Sequence, residues 1–167
     1  MTESIGVFGF RNPFRTGRNV QATNIKMPGC SLYATANQAI TSGGTGEAID
    51  FPFEYVDNGN IHEVTGTTSR ITFYVPGIYL FNGRATWAAS ASGTYRELIL
   101  RLNGNNDIDL DDSFAPTGAG GMSQHVAAVY RIVQGDYAEL YASHDVGSDL
   151  NVLGAPNPRF SAFWLSA

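Results

Sequence analysis

A single cysteine, Cys30, stands in 167 residues. One thiol cannot close an internal disulfide, and cysteine-rich metal sites are excluded with it. We read Cys30 as a small buried apolar residue rather than a reactive thiol. No run of about 18 apolar residues occurs, so no membrane-spanning helix is expected. The first ten residues, MTESIGVFGF, have no basic start followed by an apolar core, so a secretory leader is not expected. Charge is sparse as well. Asp, Glu, Lys and Arg make up 15% of the chain, against about 25% in ordinary soluble domains. A surface so poor in charge implies that part of it is covered, for instance by a sister subunit.

Catalytic patterns are missing too. Ser, His and Asp all occur, but never at the spacing of a nucleophile elbow. His62, His125 and His144 are scattered, with no His-x-x-x-His pair and no His/Cys cluster. They read as surface or hydrogen-bonded structural histidines. The stretches GGTGE (43–47) and GAGG (118–121) lack the Lys-Ser/Thr of a phosphate loop and read as plain loops. An enzyme is therefore not expected.

What is present begins with an uneven charge. Residues 1–26 carry Arg11, Arg15, Arg18 and Lys26 against Glu3 alone, a net +3, and the remainder carries −8. The same stretch holds Ile5, Val7, Phe8, Phe10 and Phe14. Disordered tails are poor in aromatics. Residues 1–29 therefore read as an arm that docks on an acidic surface, with Phe8, Phe10, Arg11, Phe14, Arg15 and Arg18 as its contacts. Nucleic acid is not the expected partner, because four cations are few and the acidic body repels phosphates.

After the arm, residues 30–167 form one domain of short β-like runs punctuated by turns, as in an all-β sandwich or barrel. CSLYATANQAI and AIDFPFEYV each read as a strand. DNGN and NGNN read as turns, their Asn-Gly pairs being a strong tight-turn signal. YRELILRL has helical propensity, but its neighbours outweigh it. The run RITFYVPGIYLFNGRATW (70–87) is apolar in both alternating phases. Phe73, Val75, Tyr79 and Phe81 share one phase, and Tyr74, Ile78 and Leu80 the other. A strand apolar on both faces needs cover on both. Pro76 lacks an N–H and Gly77 tolerates unusual backbone angles, so the pair is expected to bend the run at a sandwich corner. In NGNNDIDLDDS (103–113), Asp107, Asp109, Asp111 and Asp112 are hard-oxygen ligands of the kind Ca²⁺ takes. The Gly and terminal Glu of a helix-loop-helix calcium site are absent, and a solvated acidic loop is the preferred reading.

Six pieces occur in an order that resembles the C1q/TNF-like jelly-roll domains, over roughly residues 31–167. They are SLYAT, IDFPFEYVDNGNIHEVTG, ITFYVPGIYLFNGRATW (with Phe73, Pro76, Gly77, Tyr79 and Phe81), ELILRLNGNN, VAAVYRIVQGDYAELYA and RFSAFWLSA. The resemblance implies an all-β jelly-roll sandwich. It also implies a homotrimer in which sister subunits cover the second apolar face of the 70–87 run. Tyr74, Tyr79, Phe81 and Trp87 are the expected seam. The collagen-like stalk of animal members is absent, and stalkless versions are similar to domains on bacteriophage particles. The expected function is accordingly that of a structural virion protein, a capsid decoration (cement) protein on the capsid exterior, docked on the major capsid protein or another virion protein. The alternative is a receptor-binding head of a phage tail or head fibre.

Overall fold

The computed structural model describes residues 27–118, 120–155 and 158–167. The arm contacts Phe8, Phe10, Arg11, Phe14, Arg15 and Arg18 lie outside the described residues. Among those described, the regular elements are all strands: β1 (Gly29–Tyr33), β2 (Gln38–Ile40), β3 (Glu47–Ala48), β4 (Phe53–Asp57), β5 (Arg70–Thr72), β6 (Gly77–Trp87), β7 (Tyr95–Leu102), β8 (Asn106–Phe114), β9 (Met122–Ile132), β10 (Tyr137–His144), β11 (Leu150–Val152) and β12 (Arg159–Ser166). They build two antiparallel sheets. One runs β2-β11-β6-β12-β1-β4, with β9 paired along the other side of β6. The other runs β3-β10-β7-β8, with β5 also on β10.

The core lies between the sheets. Leu32, Phe81, Val126 and Phe160 come from the first sheet, and Ile71, Leu98, Leu100 and Leu140 from the second. YRELILRL is strand β7, held between β10 and β8. Pairing on both sides outweighs its local propensity. The two prolines within the strand runs mark sheet crossings. Pro52 separates β3, in the five-stranded sheet, from β4, in the seven-stranded one, so AIDFPFEYV is two strands. Pro76 does the same between β5 and β6. A missing N–H is tolerated where the chain leaves one ladder and has not yet joined the next.

The two Asn-Gly pairs behave differently. Asn103 and Gly104 both have positive φ, 53° and 74°, and Asn105 N–H bonds Leu102 C=O, which makes the tight turn joining β7 and β8. Asn58-Gly59 makes no hairpin. There the Asp57 carboxylate accepts the N–H groups of Gly59, Ile61 and His62, and a long connection leads to β5 in the opposite sheet.

Candidate functional site

The Pro76-Gly77 corner is held from two directions. The Tyr79 hydroxyl donates to Val75 C=O at 2.8 Å, and the Trp164 indole N–H donates to Pro76 C=O at 3.3 Å. Gly77 has φ +152°, and a Cβ there would overlap the Trp164 indole nitrogen and the Ser166 carbonyl oxygen. The bend predicted from the sequence is therefore real, and it sends the apolar run from the five-stranded sheet into the middle of the seven-stranded one.

Past the corner β6 divides cleanly. Gly77, Tyr79, Phe81, Gly83, Ala85 and Trp87 face the core. Phe73 packs edge-on against Tyr79 and Phe81, with ring centroids 4.8 and 5.7 Å away. Such aromatic pairs contribute about 0.5–1.5 kcal/mol each beyond their burial. Trp87 donates its indole N–H to Gln124 at 2.7 Å and meets the His144 ring edge-on. Tyr79, Phe81 and Trp87 are 0%, 0% and 1% exposed within a single chain. This corrects the expected seam. These three rings are already spent inside the subunit and have no surface left to offer a sister. Tyr74 is 54% exposed but sits on the corner, not on β6.

The outward phase of β6 carries the surface that remains. Leu80 lies directly between Val129 of β9 and Phe163 of β12. These three side chains, 42%, 61% and 38% exposed, form an apolar row across three strands in the middle of the sheet, with Leu165 exposed at the end of β12. Toward the opposite end the outer face turns polar with Asn82 and Ser161, then with Arg84 and Arg159. There Tyr33 stacks on Tyr55 and on Phe53, with centroids 4.2 and 5.3 Å apart, and Arg159 lies over Tyr55. An apolar patch with a polar, aromatic and cationic border has the composition of a protein interface. Leu80 was visible in the sequence as the second apolar phase. Val129 and Phe163 were not, because only strand pairing brings them beside it.

The acidic stretch is not a solvated loop. It forms β8, and the carboxylates of Asp107, Asp109 and Asp111 are engaged, while Asp112 is exposed. Asp107 forms a two-pronged ion pair with Arg101, at 2.5 and 3.1 Å. Asp109 accepts the Ala127 N–H at 2.7 Å. Asp111 accepts the His125 N–H at 3.0 Å and the Ser113 hydroxyl at 2.7 Å, and contacts the Gln124 amide. The carboxylates of one sheet's edge thus satisfy backbone donors on the edge of the other. Among the described residues no group of three His, Cys, Asp or Glu side chains is placed to hold a metal ion. The rings of His62 and His144 are hydrogen-bonded as well. His144 is buried between the Ile40 carbonyl at 2.8 Å and the Val146 N–H at 3.2 Å. His62 contacts Glu54 at 2.8 Å and the Thr68 carbonyl at 3.0 Å. Burial pushes the Cys30 thiol well above its ordinary range, as an inert core residue requires.

Two carboxylates are held below the usual carboxylate range. At Asp145 the Thr94 hydroxyl, aided by the Thr94 and Tyr95 N–H groups, holds the pKa down to about 2. At Asp111 burial acts upward, but the bonds from His125, Ser113 and Gln124 outweigh it and the net shift is downward. A carboxylate with a lowered folded pKa contributes stability above its unfolded value, about 3.9, and loses it as pH falls through the folded value. Melting temperature should therefore drop between about pH 4 and 2. Asp145→Asn should melt lower than the parent at pH 6, and the gap should close by about pH 2. A gap that stays constant across that window would show that Asp145 does not carry the acid transition.

The comparisons with known proteins fit this geometry. No family profile matches the chain, and no curated protein matches it in sequence. Solved structures do. The globular domain of zebrafish complement 1qA aligns over 83% of this chain and 97% of its own, at 16% identity and TM-score 0.56. Murine APRIL aligns over 84% and 100%, at 14% identity and TM-score 0.62. Eiger TNF from S. frugiperda aligns over 84% and 94%, at 10% identity and TM-score 0.60. The chain has the C1q/TNF-like jelly-roll fold. At these identities the likeness concerns the fold and leaves function to the residues of this chain. In this jelly roll the candidate site is the outer face of the seven-stranded sheet, centred on Leu80.

Proposed function

We propose that the protein is a structural virion component, a homotrimeric capsid decoration protein that acts by binding and not by catalysis. The observation that carries the assembly part is the apolar row Val129–Leu80–Phe163, uncovered in the middle of a sheet whose other face is fully packed. A central strand with an open apolar face has its cover supplied by another copy. The engagement of His62, His144 and the β8 carboxylates in structural hydrogen bonds supports a scaffold over a reaction centre.

The docking part rests on the arm. β1 starts at Gly29 opposite Phe163, so the chain enters the sandwich beside the apolar row. Three copies packed through that row would release their arms close together at one end. Three basic, aromatic arms acting at once multiply the effective concentration of each for a shell surface. Phe and Arg side chains supply the anchoring, since aromatics and Arg dominate interface energetics.

The test uses the truncated protein. Deleting residues 2–26 should leave the trimer folded and abolish its co-sedimentation with undecorated capsids. If the truncated trimer pellets as well as the full-length one, the arm is not the docking element. A receptor-binding head then becomes the better account.

A further inference from the structure

Independently of the virion reading, we infer that the cavity between the 58–69 connection and strand β5 is a subsite for one neutral sugar ring. The cavity is about 170 Å³ and is lined by Asn60, Glu63, Thr67, Arg70, Thr72 and Tyr74, with Ile61 and His62 at its base. That volume is smaller than the ~300–1,000 Å³ of pockets built for cofactor-sized ligands. It suits a single ring.

Both walls are set before any ligand arrives. One wall is the connection. The Asp57 carboxylate gathers three of its N–H groups, His62 ties it to Glu54 and to Thr68, and the Thr68 hydroxyl donates to Asp50 at 2.9 Å. The Thr72 N–H closes onto the Ile61 carbonyl at 2.7 Å. The other wall is Arg70. Its guanidinium lies flat on the Tyr137 ring, 3.6 Å from the centroid, and its Nε stands 3.5 Å from the Glu139 carboxylate. That Nε is buried on the Glu139 side. Held between Tyr137 and Glu139, the guanidinium is already positioned beside an open polar cavity, so little ordering remains to be done on binding.

Charge decides the ligand class. An anion at Arg70 would also meet Glu63 on the lining and Glu139 behind the guanidinium. A cation at Glu63 would meet Arg70. The lining is thus balanced, both His62 ring nitrogens are taken by Glu54 and Thr68, and the remaining polar groups are hydroxyls and an amide, which both donate and accept. A pyranose has this complement: hydroxyls that each donate and accept, around a ring with an apolar C–H face. Tyr74, half exposed at the cavity's rim, offers the apolar aromatic surface for that face.

The test is by NMR chemical-shift mapping on the full chain. The probes are the methyl glycosides of glucose, galactose and mannose at up to about 50 mM, enough to saturate a site with Kd near ~1 mM. Glucosamine and galacturonic acid serve as the charged comparisons. At least one neutral glycoside should shift resonances within 60–74, and the charged sugars should bind about tenfold more weakly. Tyr74→Ala should weaken the neutral sugar by about tenfold or more, while Tyr74→Phe keeps the ring and most of the binding. Tyr74 is a surface residue, so both variants should fold. The assignment is overturned if no neutral glycoside shifts 60–74, if a charged sugar binds as well or better, or if Tyr74→Ala binds like the parent.

Discussion

Gly77→Val should destabilise the fold by about 2–6 kcal/mol. Residue 77 has φ +152°, a region that β-branched side chains do not adopt without strain. Such strain costs about 1–3 kcal/mol. The new Cβ would also overlap the Trp164 indole and the Ser166 carbonyl. Forcing atoms into a packed site adds about 1–3 kcal/mol. Neither neighbour can give way cheaply, since Trp164 holds the corner through Pro76 and Ser166 is paired to Ile78. Together the two costs reach about 2–6 kcal/mol, a large share of the 5–15 kcal/mol that stabilises a typical domain. Urea melts followed by circular dichroism would read the loss directly. A variant with the parent's midpoint and slope would mean that the corner relaxes freely and that Gly77 is an ordinary strand residue.

Leu80→Asp and Tyr79→Asp should fail in different ways although the residues are adjacent. Tyr79 is fully buried within one chain and packed on Phe73. An unpaired carboxylate there costs several kcal/mol in the subunit itself, so that variant should not fold. Leu80 is partly exposed on the outer face, between Val129 and Phe163. A carboxylate there stays hydrated in a lone subunit, so the fold survives. In the proposed trimer the same carboxylate would be buried beside its sisters, and assembly should fall by several orders of magnitude. Light scattering after gel filtration, with circular dichroism beside it, separates the outcomes. Leu80→Asp should elute as a folded monomer where the parent elutes as a trimer. A Leu80→Asp protein that remains trimeric would place the seam elsewhere on the surface.

Much of this architecture is legible in the sequence, and the misreadings have definite physical causes. Strands β6, β7, β9, β10 and β12 announce themselves through length, apolar content and the turns between them. The Pro76-Gly77 corner is legible because each residue has one well-defined backbone consequence. Which phase of β6 faces inward is not legible. Tyr79 and Phe81 in one phase and Ile78 and Leu80 in the other are all apolar, and only the position of the opposite sheet decides between them. The rings expected at the seam are the largest in the run, and the largest rings are those a core takes first. Strand β8 was misread because Asp is depleted in strands. The alternation Asp107-Ile108-Asp109-Leu110-Asp111 is nevertheless a period-two pattern. Asp109 and Asp111 belong there because they reach the backbone of β9, a partner that no local pattern reveals. Strand β11 is three residues long and carries no signal of its own.

The pairing of β1 with β12 bears on how the chain is made. β1 lies between β12 and β4, and Gly29 sits opposite Phe163. β6 also depends on β12 for its neighbour from Ile78 to Arg84. During synthesis residues 34–158 must be added between these partners, which takes about 6–25 s at ~5–20 residues per second. Once residue 87 has been added, the nascent chain carries two strands, β1 and β6, waiting for the same missing ladder. β1 leaves the ribosome before every other strand, yet its β12 neighbour is made last. A message cut short before codon 159 would therefore yield no smaller domain, only a chain with its central sheet split in half.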